Sequence, residues 1–382
     1  MSDEPNQNGV TTPVPRPSRT MSLHAAGKML LALAIGLAGA LIFRALDAPL
    51  PWMLGSTAAC FIVTILGGPI LPPKPVVTPL RATLGVAIGT AFSPELIGRI
   101  PGMLASLGVL VPYVALLVLI GVPFFERLAR FDRPTAFFSA VPGGLNDMVL
   151  FAEQSGANER TVTLVHCTRV LIIVFTLPFL IVYLSGLSPG EGTLASATLA
   201  DLSWFDGVVL CAIGVIGRWL ALRLGIFGAA MVGPMLLSGL LHAAGFTSAR
   251  VPTEIMSLAQ LGLGTYLGCL FRGLTAREFS SVVAWAICYS GIILTIAAAF
   301  SLLVVWLTGF DLTSVFLAFS PGGQPEMNLM AFVLGLDVAY VALHHLVRVA
   351  IVLLGAQIVL LKNKDWRGPA GRDSDPRPPE RT

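Results

Sequence analysis

Two carboxylates in this chain occupy positions where a protein could bind an ion or a small solute. Asp147 and Glu326 each follow a Pro-Gly-Gly sequence closely, and each lies inside a long apolar stretch. Proline removes a backbone donor and glycine costs conformational entropy, so Pro-Gly-Gly interrupts a helix. A helix that begins after such a break presents free N–H groups and partial positive charge, which favour anions, whereas the carbonyl end before it favours cations. We therefore expect binding chemistry at both breaks.

The two breaks belong to one sequence element that occurs twice. Residues 137–172 align with residues 316–351 at an offset of 179 positions, and 14 of the 36 aligned pairs are identical. The matched positions are Pro142 with Pro321, Gly143 with Gly322, Gly144 with Gly323, Asp147 with Glu326, His166 with His345, and Arg169 with Arg348. Two interruptions at matched positions, each followed by an acid and a methionine, indicate a shared role.

Amide side chains accompany the acids, and they extend the predicted binding set. Asn146 precedes the first acid, and Asn328 follows the second. The candidate substrate- or ion-binding residues are Pro142, Gly143, Gly144, Asn146, Asp147, Pro321, Gly322, Gly323, Glu326 and Asn328. A carboxylate in the first turn of a helix also stabilises that helix end, so capping alone remains an alternative. Asn146 is matched by Pro325, so the two breaks are not equivalent.

A histidine and an arginine follow each break at the same spacing. His166 and Arg169 are three residues apart and share a helix face, and His345 and Arg348 repeat the pair. An arginine several residues inside an apolar run needs a partner or water. We expect charge-balancing roles, in which the arginines neutralise the acids or engage an anionic substrate. The alternative is that they are fixed structural counter-ions.

The composition places these residues in an integral membrane protein. The chain has 382 residues, of which 55% are hydrophobic and only 12% are charged. Soluble domains carry roughly twice that charged fraction. Apolar segments long enough to cross a bilayer recur along most of the chain, which predicts an all-α fold with a lipid environment as its main partner.

The repeat divides the chain into two membrane halves flanked by polar tails. We predict a disordered basic tail over residues 1–22, membrane repeat 1 over 23–185, an external linker over 186–204, membrane repeat 2 over 205–361, and a disordered tail over 362–382. Each half contains six apolar segments. The tails are rich in proline and polar residues, a composition that cannot form a packed core.

The distribution of basic residues predicts how the halves cross the membrane. If each Pro-Gly-Gly segment enters and leaves on one side, the basic residues fall on the cytoplasmic side with both termini. Those residues are Lys74, Arg81, Arg127, Arg130, Arg133, Arg218, Arg223, Arg272, Arg277, Lys362 and Lys364. Each half then makes five crossings, an odd number, so the second half is inverted relative to the first. We predict about ten transmembrane helices plus two broken or re-entrant helices.

Several functional classes lack their sequence signatures. The five histidines and five cysteines form no cluster at metal-ligand spacing, and no phosphate-binding loop or dinucleotide fingerprint occurs. We expect no metal, no other cofactor and no enzymatic activity. Direct binding of nucleic acid is not expected either, because no soluble stretch could hold a DNA-binding domain. A homodimer is left open.

The duplicated Pro-Gly-Gly element with its acid and its His-x-x-Arg helix resembles the bacterial AbrB-duplication membrane protein family over residues 25–361. That family is labelled both as ammonia monooxygenase and as AbrB-type regulator of gene expression. The resemblance implies an inner-membrane protein with two related halves. The broken helices also look like those of elevator-type cation/proton antiporters and anion transporters, which implies binding groups at Asn146, Asp147, Glu326 and Asn328.

From these features we expect a secondary transporter that moves a small anionic or polar solute with H⁺ or Na⁺. Asp147 and Glu326 would carry the coupling ion, and Asn146, Asn328 and the helix starts would hold the solute. The competing hypothesis is a membrane regulator of gene expression that acts indirectly or as a sensor. A third and weaker alternative is a monooxygenase subunit.

Overall fold

The computed structural model describes residues 23–92, 94–186, 197–363 and 366, with the side chains of residues 94–100 and 276 outside that description. The predicted tail 1–22, most of the tail 362–382 and residues 187–196 of the predicted linker therefore lie outside the described residues.

Within the described ranges all regular secondary structure is helical. The first half comprises α1 (Leu23–Ala45), α2 (Pro51–Ile65), α3 (Lys74–Gly89), α4 (Pro94–Pro123), α5 (Arg133–Ala140), α6 (Leu145–Gln154) and α7 (Glu159–Ser185). The second half comprises α8 (Trp204–Arg223), α9 (Ala229–Ala243), α10 (Thr253–Gly268), α11 (Ala276–Glu278), α12 (Ala284–Thr308), α13 (Leu312–Phe319), α14 (Gln324–Val333) and α15 (Val338–Lys362).

Six of the described helical segments are long and apolar enough to cross a bilayer. They are Leu23–Ala45, Pro101–Leu128, Glu159–Ser185, Trp204–Arg223, Phe279–Thr308 and Val338–Lys362. Large apolar side chains cover their outer faces, including Leu119 at 70% exposure and Trp306 at 80%. Exposure of this kind is typical of helices whose solvent is lipid. The prediction of an all-α membrane protein is therefore supported by helix length and composition.

The predicted helix breaks are present at both Pro-Gly-Gly sequences. Helix α5 ends at Ala140 and α6 begins at Leu145, while α13 ends at Phe319 and α14 begins at Gln324. The intervening backbone is extended, as Gly144 and Gly323 both show with ψ at 139°. Proline at the second position of each break has no backbone N–H to donate, so the hydrogen-bond pattern of the helix cannot continue through it and the helix ends there.

Side-chain caps fix the starts of the helices around each break. Each cap is an Asp or Asn that accepts a hydrogen bond from the backbone N–H three residues later, which satisfies a donor that the helix cannot pair. The pairs are Asp132 with Thr135 (3.2 Å), Asn158 with Thr161 (3.0 Å), Asp311 with Ser314 (2.8 Å) and Asp337 with Tyr340 (3.0 Å). The caps at Asp311 and Asp337 lie 179 positions after those at Asp132 and Asn158, so the local fold is duplicated together with the sequence.

The helices form two groups, each built from both halves of the sequence. The six-helix group contains α1, α2 and α3 with α8, α9 and α10, and its largest contacts between the two halves join α3 to α9 and α2 to α10. The broken-helix group contains α4 to α7 with α11 to α15. The two groups meet mainly where α3 packs on α14 and α15, and where residues 269–271 pack on α7.

Glycine lets helices from opposite halves touch through their backbones. A Cβ atom at Gly85 on α3 would overlap the carbonyl oxygen of Met231 on α9. The matched residue Gly264 on α10 faces the carbonyl oxygen of Met53 on α2 in the same way. Small residues at such crossings allow the close packing that drives helix association in lipid. Gly85 and Gly264 are therefore packing positions.

We predict that Gly85→Ala destabilises the protein, because the added methyl group has no space against Met231. Overpacking of this kind costs about 1–3 kcal/mol. Thermal unfolding of the purified protein in detergent should show a lower midpoint. The matched control is Gly355→Ala on α15, where an added Cβ meets no atom within 4 Å. Equal midpoints for the two variants would contradict the packing role of Gly85.

Candidate functional site

The carbonyl groups that precede the first break are bound by buried side-chain donors. His166 Nε2 donates to Phe138 O (2.8 Å), Tyr289 Oη to Ala140 O (3.2 Å), Arg169 Nη1 to Val141 O (3.4 Å) and Arg169 Nη2 to Gly143 O (3.3 Å). An interrupted helix leaves such carbonyls without partners, and in hydrocarbon no water replaces them. The side chains therefore supply the bonds that the break removes.

The second break is held by the same arrangement. His345 Nε2 donates to Leu317 O (3.2 Å), Tyr113 Oη to Phe319 O (2.6 Å), Arg348 Nη1 to Ser320 O (2.8 Å) and Arg348 Nη2 to Gly322 O (3.1 Å). Each accepting carbonyl lies 179 positions after its counterpart in the first half. The predicted histidine and arginine pairs thus perform one structural task in both halves.

The tyrosines that complete these sets come from the opposite half. Tyr289 on α12 binds the first break, and Tyr113 on α4 binds the second. Both side chains are buried, with 1% and 0% of their surface exposed. Each break is therefore stabilised by a residue that its own repeat does not contain. Because each half donates a tyrosine to the break of the other half, the two halves are joined into one broken-helix group.

Hydrogen bonding between the paired residues fixes the state of each histidine. The Nη2 atoms of Arg169 and Arg348 donate to the Nδ1 atoms of His166 and His345 at 2.9 Å in both halves. A ring nitrogen that accepts this bond carries no proton, so the proton lies on Nε2 and the ring is neutral. The arginine therefore holds the histidine in the tautomer that donates to the helix carbonyl.

The two glycines of each break have different neighbours. A Cβ atom at Gly143 would lie 2.7 Å from Sδ of Met148, and one at Gly322 would lie 2.7 Å from Sδ of Met327. A Cβ atom at Gly144 would lie 2.6 Å from a carboxylate oxygen of Asp147. The first glycine thus admits the methionine under the break, and the second admits the acid. These contacts explain the spacing of the Pro-Gly-Gly, acid and methionine positions.

Both breaks open on one cavity of about 200 Å³. The first break contributes Gly143, Gly144, Asn146 and Asp147 to its lining, and the second contributes Gly322, Gly323, Gln324 and Glu326. Arg81 on α3, Met231 on α9 and Tyr266 on α10 form the opposite wall. The cavity therefore lies between the six-helix group and the broken-helix group, with a helix start and a carboxylate from each half.

Asp147 and Glu326 lie in the first turns of α6 and α14, where a carboxylate favours the helix start, and they do not pair with the buried arginines. Among the described residues, neither Asp147 nor Glu326 forms an ion pair with Arg169 or Arg348. Both acids are partly buried and line the cavity. Their carboxylates are thus available to a ligand or a proton, while the arginines are engaged with the backbone.

Some predicted site residues lie outside this lining. Pro142 and Pro321 are buried behind the breaks, and His345 is fully buried against its helix carbonyl. Asn328 lies on the buried side of α14 with 0% exposure, and its side-chain amide has no hydrogen-bond partner within the described structure. The binding roles of these residues remain predictions, whereas Asn146 lies directly on the cavity.

Arg81 is a cavity residue that the sequence did not mark as part of the candidate site. The distribution of basic residues predicts it on the cytoplasmic side, and in the structure it lines the cavity. Arg81 aligns with Gln260 at the 179-residue offset, and it lies inside α3 close to the glycines that pack on α9. That alignment was the available signal, since it places a polar residue inside the same helix of each half. Gln260 itself is buried and does not line the cavity.

His344, which precedes His345 in α15, belongs to a separate polar contact. Its Nδ1 donates to Tyr340 O (2.8 Å), and its Nε2 accepts from the Ser106 hydroxyl (2.8 Å). Ser106 in turn accepts a bond from the Tyr340 hydroxyl. All three side chains are buried, and they tie α15 to α4. The network strengthens packing within the broken-helix group.

We predict that Tyr289→Phe destabilises the protein without altering its fold. The variant removes the hydroxyl that donates to Leu117 O (2.9 Å) and to Ala140 O (3.2 Å), and an unsatisfied buried acceptor costs about 1–3 kcal/mol. Tyr113→Phe should have a similar effect at the second break. Thermal unfolding in detergent, monitored by circular dichroism, measures the midpoint of each variant. Tyr183→Phe is the control, because that tyrosine is 84% exposed. Unchanged midpoints in both buried variants would contradict the stabilising role of these tyrosines.

Comparison with known proteins identifies the family. The family described as "Transition state regulatory protein AbrB" matches residues 52–362. The chain is 28% identical over 348 residues to "Uncharacterized protein YhjN" of Bacillus subtilis (strain 168), covering 84% of this chain and 89% of that protein. It is 24% identical over 325 residues to "Putative regulator AbrB" of Escherichia coli (strain K12), covering 82% and 89%. Since the family match spans most of the chain, this protein belongs to the AbrB family.

Proposed function

We propose that this protein is a secondary transporter for a small anionic or polar solute, coupled to H⁺ or Na⁺. One observation carries the proposal: two broken helices, each with an acid in its first turn, open on a single cavity. Transporters of this type bind solutes at the ends of discontinuous helices between related halves.

The cavity residues have different chemical groups, and each group suits a different role in transport. Asp147 and Glu326 are carboxylates without arginine partners, so they can take up a proton or a cation. The starts of α6 and α14 present backbone N–H groups, and Asn146 adds a side-chain amide beside them. Arg169 and Arg348 keep both breaks open by holding their carbonyls. In this assignment the coupling ion and the solute meet in the same cavity.

The position of the cavity supports alternating access. It lies between the six-helix group and the broken-helix group, and few contacts join the two groups elsewhere. Movement of one group past the other would expose the cavity to each side of the membrane in turn. Two inverted halves with ten crossings in total are the topology that this movement requires, because related halves can then exchange conformations.

The described helix ends support an orientation in a bacterial inner membrane. Tyr183, Trp204 and Trp306 lie at helix ends and are 84%, 80% and 80% exposed, as expected for an aromatic belt on one side. Arg223 is the last residue of α8, and Arg272 follows the helical residues 269–271, so both lie at the opposite ends of their helices. The positive-inside rule assigns that end, and both chain termini, to the cytoplasm.

A second function rests on the relatives. The Escherichia coli relative is named as a regulator, and the family description also refers to regulation. A membrane protein with this cavity could sense a solute and affect gene expression indirectly. Transcript levels in a deletion strain, complemented with wild-type protein or with Asp147→Asn, discriminate the two functions. Normal regulation by a variant without flux would favour sensing.

We predict that Asp147→Asn and Glu326→Gln each abolish solute-coupled flux. Vesicles that contain the full chain and an internal pH-sensitive dye would be exposed to gradients of succinate, of glutamine and of NaCl. Neutral side chains at these positions cannot carry the coupling proton or cation, so the signal should fall to that of empty vesicles. Glu153→Gln on α6 is the matched control, because Glu153 is exposed and lies outside the cavity lining. Full flux in both cavity variants would remove these acids from the mechanism.

A further inference from the structure

The cavity contains more hydrogen-bond donors than the protein can satisfy. Four buried side-chain nitrogens of cavity-lining residues have no acceptor within the described structure. They are Arg81 Nε, Arg169 Nε, Gln324 Nε2 and Arg348 Nε. A buried donor without an acceptor is costly, and such groups are rare in native proteins. Their concentration around one cavity makes its wall electropositive, which favours a ligand that carries negative charge and acceptor oxygens.

The donors of Arg169 and Arg348 are held in place before any ligand arrives. Each guanidinium is fixed by its bonds to two carbonyls and a histidine, and each side chain is only 2% exposed. The Nε atom is the part of each group that the breaks leave unused. A charge that is already fixed beside the cavity loses little entropy when an anion binds, so the two arginines favour binding of an anion.

The net charge of the cavity lining is positive, which agrees with its excess of hydrogen-bond donors. Three arginines and two acids line it, so the sum stays positive even when Asp147 and Glu326 are both ionised. The starts of the ten-residue helices α6 and α14 add partial positive charge. His166, which also lines the cavity, is neutral in the tautomer set by Arg169. A ligand that brings negative charge and acceptor oxygens fits both properties.

We propose that the cavity binds a small organic carboxylate and that Arg81 determines this specificity. The inference rests on the proposed function, since it takes the cavity as the solute site and names the class of solute. Arg81 is the one cavity arginine with no hydrogen bond to the protein within the described residues, so its planar fork is available to pair with a carboxylate. A volume of about 200 Å³ suits an acid of a few carbon atoms.

Arg81 is not explained as a simple partner of Glu326. Among the described residues no ion pair joins them. The matched residue in the second half is Gln260, so the helix position tolerates a neutral amide of similar length. The positive charge therefore belongs to one half only, and Arg81→Gln is a variant that the fold should accept.

The test measures ligand-induced stabilisation of the full chain in detergent with three probes: succinate, its neutral analogue succinamide, and inorganic phosphate. Succinate should raise the unfolding midpoint of the wild type more than either other probe, because binding to the folded state stabilises it. Arg81→Gln should weaken the apparent affinity for succinate roughly tenfold or more, since it removes a charge-assisted bond. Arg81→Lys, which keeps the charge without the fork, should be intermediate.

Arg223→Gln is the matched control, because it removes an exposed arginine outside the cavity. Its succinate response should equal that of the wild type. Equal responses to succinate and succinamide in the wild type would overturn the carboxylate assignment, as would a larger response to phosphate. An unchanged response in Arg81→Gln would overturn the role of Arg81. Succinate binding in a protein that shows no flux would leave this inference standing and would reject transport alone.

Discussion

The structure depends on the binding of buried guanidinium groups to the carbonyls of an interrupted helix. Arg169 and Arg348 each reach back 26 and 28 residues to two carbonyl oxygens. Without these bonds the breaks would expose unpaired backbone in hydrocarbon, which membrane proteins do not tolerate. A charged side chain inside an apolar segment is itself costly, but here it replaces several missing backbone bonds at once.

This use of the arginines explains what remains for a ligand. Since the arginines and histidines are engaged with carbonyls, they hold the breaks open, and the opposite side of each break presents helix starts and acids to the cavity. The carbonyl ends are therefore closed to cations by protein donors, whereas the N–H ends stay accessible. The same division recurs in both halves, so the cavity receives two sets of binding groups from one duplicated design.

Much of this arrangement could be predicted from the sequence, and the exceptions have physical causes. The Pro-Gly-Gly interruptions, the acids and the His-x-x-Arg pairs align at a fixed offset, so the breaks and their buried partners were accessible to pattern analysis. Tyr113 and Tyr289 were not, because they are 176 positions apart and do not align as a repeat. Arg81 was predicted only to lie on the cytoplasmic side, since a charge count cannot distinguish an interfacial arginine from one that faces a cavity.

The exchanged tyrosines have a consequence for biosynthesis. Ala140 is separated from Tyr289 by 149 residues, so the ribosome must complete most of the second half before the first break receives its donor. During that interval the nascent first half enters the translocon with one carbonyl unsatisfied. Tyr113, in contrast, is already inserted when Phe319 emerges. The second half thus folds against a first half that is already in the membrane. A chain that ends between the two halves lacks the donor of its first break.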